Sequence, residues 1–511
     1  MSEPARTEAP GETELLAAVD LGSNSFQLLI AGFVHGQLRV VDRLREMVRL
    51  AAGLDDEQNL DAASTQRALD CLARFGERLR DFPAAQVRAV GTNTLRKARD
   101  PAAFLGEAEA LLGHEIDIIS GIEEARLIFV GVSRSLPEVD GQHLVVDIGG
   151  GSTELAGGTG YQPEKLESLY MGCVSMSQKF FPDGALTRQR FLDARTAARL
   201  ELRPVAGTFR AADWARVAGA SGTIRAAGDV LRELGYSENA ITRAGLERLI
   251  ETMVDQGHTD RLDLPGLSEQ RAPVFAGGIS ILAEVMEQLR LDQLVTTDGA
   301  LREGILYDLV GRLGDEDART RTVRAMESRY QVDTEQAARV ELTAVSLLDQ
   351  VAEQWKLTQP NARNLLGWAA RLHEIGLDIA HAHYHKHGAY LLENADMPGF
   401  NRNEQRVLAC LVGAHRRKLT NANISDIAPK GWAERATRLA ILLRLAVLFN
   451  RSRSYEFPDV LSLRASGNSL TLCLPGDWLE NNPLSLADLK HEQAFLLGAG
   501  YKLEFIALEE V

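Results

Sequence analysis

Two stretches of this chain repeat one pattern of residues suited to holding phosphate. Val19-Asp20-Leu21-Gly22-Ser23-Asn24-Ser25-Phe26-Gln27-Leu28 aligns without a gap on Val146-Asp147-Ile148-Gly149-Gly150-Gly151-Ser152-Thr153-Glu154-Leu155, 127 residues further on. Each copy is an apolar run, then Asp, Gly and small hydroxyl residues, then a second apolar run. Small residues let backbone N–H groups close around an anion, and the Asp is placed to hold a cation or its waters. Two such loops facing across a cleft would grip a phosphate chain from both sides. Ser23, Asn24 and Ser25 in one loop, and Gly149, Gly150, Gly151, Ser152 and Thr153 in the other, supply the N–H and hydroxyl donors.

Asp147 and Glu154 stand seven apart across the second turn. On a tight strand-turn-strand both carboxylates can enter one pocket and hold Mg²⁺, with waters completing its octahedron. A plainer reading has Asp147 capping the turn and Glu154 facing solvent. Gln27 stands where the second copy has Glu154, so only the second loop has the full pair, which fits a single catalytic site. Glu123 and Glu124 follow Ser120-Gly121 at a strand-to-helix switch. A helix dipole alone favours carboxylates there. The chemical reading is that one of them takes a proton from an attacking water. Neighbours on a helix point about 100° apart, so only one of the two is expected to be catalytic.

A second match fixes what positions these residues. Gly91-Thr92-Asn93-Thr94-Leu95-Arg96 falls on Ala220-Ser221-Gly222-Thr223-Ile224-Arg225, 129 residues on. Two matches at nearly one offset mean two homologous halves. From residue 15 the first half reads strand, strand, strand, helix, strand, helix, strand, helix, an order that makes a mixed sheet flanked by helices. The second half repeats the plan from HLVVDIGG to ALREGILYDLV. A charged stretch at 314–322 marks a boundary, after which the pattern is almost wholly helical to about Arg453. LSLRASGNSLTLCL then reads as a hairpin and KLEFIAL as a last strand.

At 511 residues the chain is too long for one core. The net charge of −15 speaks against a nucleic-acid coat protein. It leaves room for a locally basic channel, since charges are screened beyond about 8 Å. The N-terminus has no apolar core of a secretory signal. Ala436–Phe449, the most apolar stretch, is too short to cross a bilayer and is broken by Arg438 and Arg444. No transmembrane segment is expected, and four scattered cysteines suit a reducing cytoplasm.

The ordered words AAVDLGSNSFQLLI, AVGTNTLRKARD, IISGIEEARLIF, VVDIGGGSTEL, MGCVS, GASGTIRAAG and FAGGISIL resemble the exopolyphosphatase and guanosine pentaphosphate phosphohydrolase family. That family is a branch of the actin, heat-shock 70 and sugar kinase superfamily. RLHEIGLDIAHAHYHKHGAYLLENADMPGFNRNEQ is similar to the helical domain of its long members. The resemblance implies an α/β fold of duplicated actin-like (ribonuclease H-like) halves forming a cleft, then an HD-like helical domain and a small α+β cap. The expected divisions are a disordered 1–14, halves at 15–131 and 132–313, a helical domain at 314–455 and the cap at 456–511. It places the base at Glu124 and the metal, Mg²⁺, on Asp147 and Glu154. Asn93 and Arg96 would add an amide and a bidentate guanidinium, with a structural Arg96 the plainer alternative. Arg225 reads as structural, and Gly277-Gly278 as either a nucleotide-binding turn or packing.

His381, His383, His385 and His387 cannot all meet at one ion, because alternate helical positions do not share a face. His373 is followed by Glu374 where an HD motif needs Asp, so a degenerate domain without its own metal is expected. His415, Arg416, Arg417 and Lys418 read as a polyanion channel wall or as a solvated helix end. The leading expectation is hydrolysis of terminal phosphate from inorganic polyphosphate, with guanosine pentaphosphate as the alternative substrate. A sugar or acetate kinase has no use for a water-activating Glu, and a nucleotide-gated module has none for the full carboxylate set. The resemblance also implies a cytoplasmic homodimer.

Overall fold

The computed structural model describes residues 15–508 except 35–36, 56, 138–139, 211–213, 314–316, 420–423, 425–427, 430 and 454–460. The expectation for residues 1–14 and the proposed boundaries at 314 and 456 therefore lie outside the described residues. The chain forms two compact units, one ending at Asp317 and one beginning at Ala318.

In the first unit the repeat appears as two sheets of matching order. The first runs β3-β2-β1-β4-β5 and the second β10-β11-β9-β6-β7-β8. Strands β1 (Leu15–Leu21), β2 (Phe26–Val34) and β3 (Gln37–Glu46) form an antiparallel meander, and β4 (Val87–Gly91) and β5 (Ile116–Ile118) add on parallel to β1. Strands β6 (Gln142–Ile148), β7 (Thr153–Thr159) and β8 (Gln162–Leu169) repeat the meander. Strands β9 (Arg216–Ala220) and β11 (Gln293–Thr296) repeat the parallel pair, and β10 (Ile241–Thr242) is an added edge. The central strands β1 and β6 are buried on both faces, which is why they read as unbroken apolar runs.

Both loops turn on a glycine held against backbone. A Cβ on Gly22 would lie 2.9 Å from the Ser25 carbonyl oxygen, and one on Gly149 would lie 3.1 Å from that of Ser152. The MGCVS segment braces the second loop from behind, with the N–H groups of Cys173 and Val174 donating to the carbonyls of Gly149 and Gly150 at 2.8 and 2.9 Å.

The division expected at residue 131 cuts a helix, because Gly121–Ser135 is continuous. The last helix of the second half, Leu301–Leu313, packs against that helix and β1, and Leu301, Ile305 and Leu306 share a core with Leu16, Ala18 and Leu127. The two helices touch backbone to backbone at Gly131 and Gly304. A buried ion network ties them. Asp308 accepts from Arg126 and Arg88 at 2.5 Å each and from Arg312 at 2.8 Å, while Arg126 also donates twice to Glu123 at 2.7 and 2.8 Å.

The second unit is mostly helical, and its sheet β12-β13-β14 (Ser462–Ser466, Ser469–Pro475, Lys502–Leu508) begins with the expected hairpin. That sheet shares its core with the helices. Leu463, Leu470, Leu472 and Leu503 belong to the same core as Leu365, Val407 and Leu442 of the helices. The helix Ala433–Phe449 is the centre of this core, and its Arg444 is neutralised in place by Glu492 at 2.5 and 2.9 Å. Among the described residues no helix is long and apolar enough to cross a membrane. The four cysteines are unpaired and buried.

Candidate active site

Strand pairing puts the repeated acidic positions in two rows. Asp20 pairs with Gln27, and Gln27 with Arg45, across β1, β2 and β3. Asp147 pairs with Glu154, and Glu154 with Ser168, across β6, β7 and β8. Directly opposed residues share a face, so each row presents its side chains together. The loops between these strands meet. A Cβ on Gly150 would lie 3.1 Å from that of Ser23 and 3.7 Å from that of Asn24.

One cavity runs between the rows and loops, lined by Asp20, Ser23, Asn24, Ser25, Asn93, Glu124, Asp147, Gly149, Gly150 and Ser152. Glu124 enters it from the first turn of the helix Gly121–Ser135, where the Glu123 N–H donates to Ser120 Oγ at 3.1 Å. Arg96 Nη1 donates to Glu124 Oε2 at 2.7 Å and to the Ile119 carbonyl at 3.1 Å. The two adjacent glutamates thus part company. Glu123 is wholly buried and spends its carboxylate on Arg126 and Arg88, whereas Glu124 faces the cavity.

The carboxylates crowd one another. Burial pushes Asp20 and Asp147 each up to about 7, and the charge of Glu124 adds to both shifts. Glu154 is raised well above the usual carboxylate range by burial, Glu124 and Asp147, and it accepts a hydrogen bond from Ser168 at 2.9 Å. Asp20 Oδ1 is buried and, among the described residues, has no hydrogen-bond partner. Such a set is what a cation site looks like from the protein side. Among the described residues no group of three His, Cys, Asp or Glu could close around a metal by itself. A cation held by these carboxylates would have to keep most of its waters, as Mg²⁺ does.

Arg45, Arg225, Arg271 and Arg302 also line the cavity. Burial and then the repulsion of Arg271, Arg225 and Arg302 hold the Arg45 guanidinium below its ordinary value. Arg302 meets Glu303 at 3.8 Å and its charge favours the ionised Asp20, as those of Arg225 and Arg271 favour the ionised Asp147. Arg225 also meets Asp298 at 2.7 Å, but that carboxylate is mostly exposed. Gly222 lets Arg271 lie against the backbone, since a Cβ there would be 1.9 Å from Nη2. Ser221, beside it at the start of the helix Ser221–Glu233, holds a left-handed φ of 79°, a strain that collects at functional sites.

Three of the expected phosphate ligands are elsewhere. Arg96 donates to Glu124 and is not in the cavity wall. Thr153 is fully buried and donates to the Met171 carbonyl at 2.7 Å. Gly151 packs behind the loop, where a Cβ would meet Asn93 Oδ1 at 2.9 Å. Arg225, read as structural, lines the cavity instead. Gly277 and Gly278 are packing: both sit inside the helix Ala272–Gln288, pressed against Ser177 and Thr223. Sequence places the metal on Asp147 and Glu154, but Asp20, the matching Asp of the first loop, lines the same cavity, and so do Arg45, Arg271 and Arg302. Asp20 was legible from its match to Asp147, and Arg45 from its place opposite Gln27 in the meander. Arg271 and Arg302 had no local signal.

In the second unit His415 is not a channel wall. It is buried, with Nδ1 at 2.6 Å from the Val412 carbonyl and Nε2 at 3.3 Å from the Tyr384 hydroxyl. His373 is likewise buried and bound to the Ala370 carbonyl at 2.7 Å, and Glu374 pairs with Arg453 at 2.6 Å.

A family model described as the Ppx/GppA phosphatase family matches residues 29–313, and one for domain III of these phosphatases matches 318–493. The chain is 40% identical over 481 residues to a guanosine-5′-triphosphate,3′-diphosphate pyrophosphatase of Vibrio cholerae, covering 94% of this chain and 95% of that one. It is 41% identical over 480 residues to the protein of that name from Aeromonas hydrophila, covering 94% and 96%. Among solved structures, the Aquifex aeolicus PPX-GPPA enzyme superposes with a TM-score of 0.50 at 25% identity, over 58% of this chain and 99% of that one. An exopolyphosphatase from Cytophaga hutchinsonii superposes at 0.52 with 22% identity, over 58% and 98%, a likeness of fold alone.

Proposed function

Because the chain belongs to the Ppx/GppA phosphatase family, we propose that it hydrolyses the terminal 5′ phosphate of guanosine pentaphosphate, releasing orthophosphate and guanosine tetraphosphate. The observation that carries this choice is the near-full-length likeness to proteins named for that substrate. It reverses the order expected above, which put inorganic polyphosphate first. The cleft supports the reversal. A linear chain needs one track of donors, whereas guanosine pentaphosphate carries two anionic arms. The phosphate loops suit the 5′ arm and the arginines Arg45, Arg225 and Arg271 suit the 3′ arm.

In this reading N–H and hydroxyl groups of Ser23–Ser25 and Gly149–Ser152 hold the terminal phosphoryl. Glu124 accepts a proton from a water whose oxygen bonds to phosphorus as the bridging P–O bond on the far side breaks. The oxygen of that water ends in orthophosphate, and the bonding pair leaves with the shortened nucleotide. Arg96 keeps the Glu124 carboxylate aimed. Asp20 and Asp147, with Glu154 behind them, would hold Mg²⁺, which when bound supplies positive charge against the phosphoryl oxygens.

Phosphate release from guanosine pentaphosphate, long polyphosphate and ATP tests the substrate. The nucleotide pentaphosphate should have the highest kcat/KM; a higher value for polyphosphate would restore the first expectation. Arg271→Ala should raise KM for guanosine pentaphosphate by about 10- to 100-fold, the worth of a contact to a charged group, and change that for ATP much less. Equal losses on both would take Arg271 off the 3′ arm.

The raised carboxylates make a second prediction. Asp20 and Asp147 hold protons to about pH 7 when folded but ionise near 3.8 when unfolded. In metal-free buffer their contribution to stability should therefore be greatest below pH 4, fall as pH rises to 7 and level off above it. Mg²⁺ should raise Tm at pH 8, and Asp147→Asn should reduce that rise. A Tm at pH 8 indifferent to Mg²⁺ would move the cation elsewhere.

A further inference from the structure

One cavity in the second unit draws on none of the residues that line the cleft. It has a volume of about 780 Å³, within the range of small-molecule sites, and lies between the helices Tyr384–Asn394 and Arg402–Ala414. Lys386, Arg416, Arg417 and Lys418 surround it against one carboxylate, Glu393. Its floor is apolar, and Tyr390 stands at its edge 66% exposed.

The site is built rather than a chance cluster. Arg444, anchored to Glu492, donates to the carbonyls of Ala414 and Arg417 at 2.6 and 2.7 Å. This clamp fixes the backbone just before the short basic run and at its middle residue. Arg417 and His383 both hold left-handed φ, 66° and 59°, which non-glycine residues keep only where surrounding structure demands it. His385 lines the cavity with its Nδ1 buried and, among the described residues, without a hydrogen-bond partner, although the residue is only 5% exposed. Burial and then the charges of Arg416 and Lys386 push its pKa down to about 4, so it is a neutral imidazole at physiological pH. Four cationic side chains around a cavity with one carboxylate, beside an unpartnered imidazole nitrogen, call for an anion. The apolar floor calls for something more than phosphate.

We propose that this cavity binds a nucleoside polyphosphate, at a second site built from residues that line no part of the cleft. Arg416, Arg417 and Lys418 take the phosphates, His385 gives one hydrogen bond, and Tyr390 stacks on the base. This differs from the channel expected from sequence: His415 is withdrawn into the core, and a bare phosphate chain has no use for an apolar floor. The inference does not depend on which substrate the cleft hydrolyses.

The test is calorimetric titration of the full-length Glu124→Gln chain with guanosine tetraphosphate and, separately, tripolyphosphate. Two nucleotide sites per chain are expected, one removed by Arg417→Ala with Lys418→Ala and the other weakened by Arg271→Ala. Tyr390→Ala should weaken the second site for nucleotide about tenfold, a typical loss for base stacking, and leave tripolyphosphate binding unchanged. Because Tyr390 is exposed, this variant keeps the test open even if the double variant melts early. One site per chain, untouched by either variant, would overturn the proposal. So would a second site that prefers tripolyphosphate and ignores Tyr390→Ala, which would make the cavity a surface for bare phosphate chains. Failure of the cleft reading would show instead in the site that answers to Arg271→Ala.

Discussion

Glu124→Gln should lower kcat on guanosine pentaphosphate by about 10²- to 10⁴-fold, the usual worth of a general base, with binding within a fewfold of the parent. The amide keeps the shape of the side chain and an oxygen for Arg96, so cavity and fold should survive. What it removes is the proton acceptor, a loss confined to the transition state. Single-turnover rates beside equilibrium binding of the nucleotide would separate the two effects. Turnover within a fewfold of the parent would take the base role from Glu124. It could not then pass to Glu123, whose carboxylate is committed to Arg126 and Arg88 away from the cavity.

Asp308→Ala should destabilise the first unit by about 3–5 kcal/mol, since removing one partner leaves buried charge uncompensated. Three guanidiniums converge on this carboxylate, and it and Arg88 are each 4% exposed at the side chain. Burial alone would raise its pKa, but Arg126, Arg88 and Arg312 together hold it well below the usual carboxylate range. Its contribution is therefore present above the unfolded value near 3.8 and is lost as pH falls through the folded one. Thermal melting should show a drop in Tm on the order of 10 °C at neutral pH, shrinking in acid. An unchanged Tm would mean the network is replaceable packing. The remaining folded enzyme should keep its kcat, because Asp308 ties two helices and does not line the cleft.

How far the sequence reaches is clearest at the two loops. The duplication, the order of strands, the loop donors and the Asp147–Glu154 pair are all local: they depend on spacing within a strand-turn-strand, which backbone geometry turns directly into shared faces. Asp20 belonged to the same signal. Glu124 against Glu123 was different, because adjacent helical residues carry the same local pattern. Only the packing of Arg88 and Arg126, from elsewhere in the chain, claims one glutamate and frees the other. Arg96 looked like a phosphate ligand by type, but its distance to Glu124 decides otherwise.

The gathering of the arginines in the cleft was decided by tertiary structure. Arg45, Arg225, Arg271 and Arg302 come from a strand and three helix beginnings separated by up to 257 residues, and nothing in their surroundings in sequence marks them as one group. Chain order likewise hid the return of Leu301–Leu313 onto the first half and the single core joining the last sheet to the helices. Periodicity says which face of an element is apolar. It does not say which other element will cover that face, and in this chain that choice decides which charges meet.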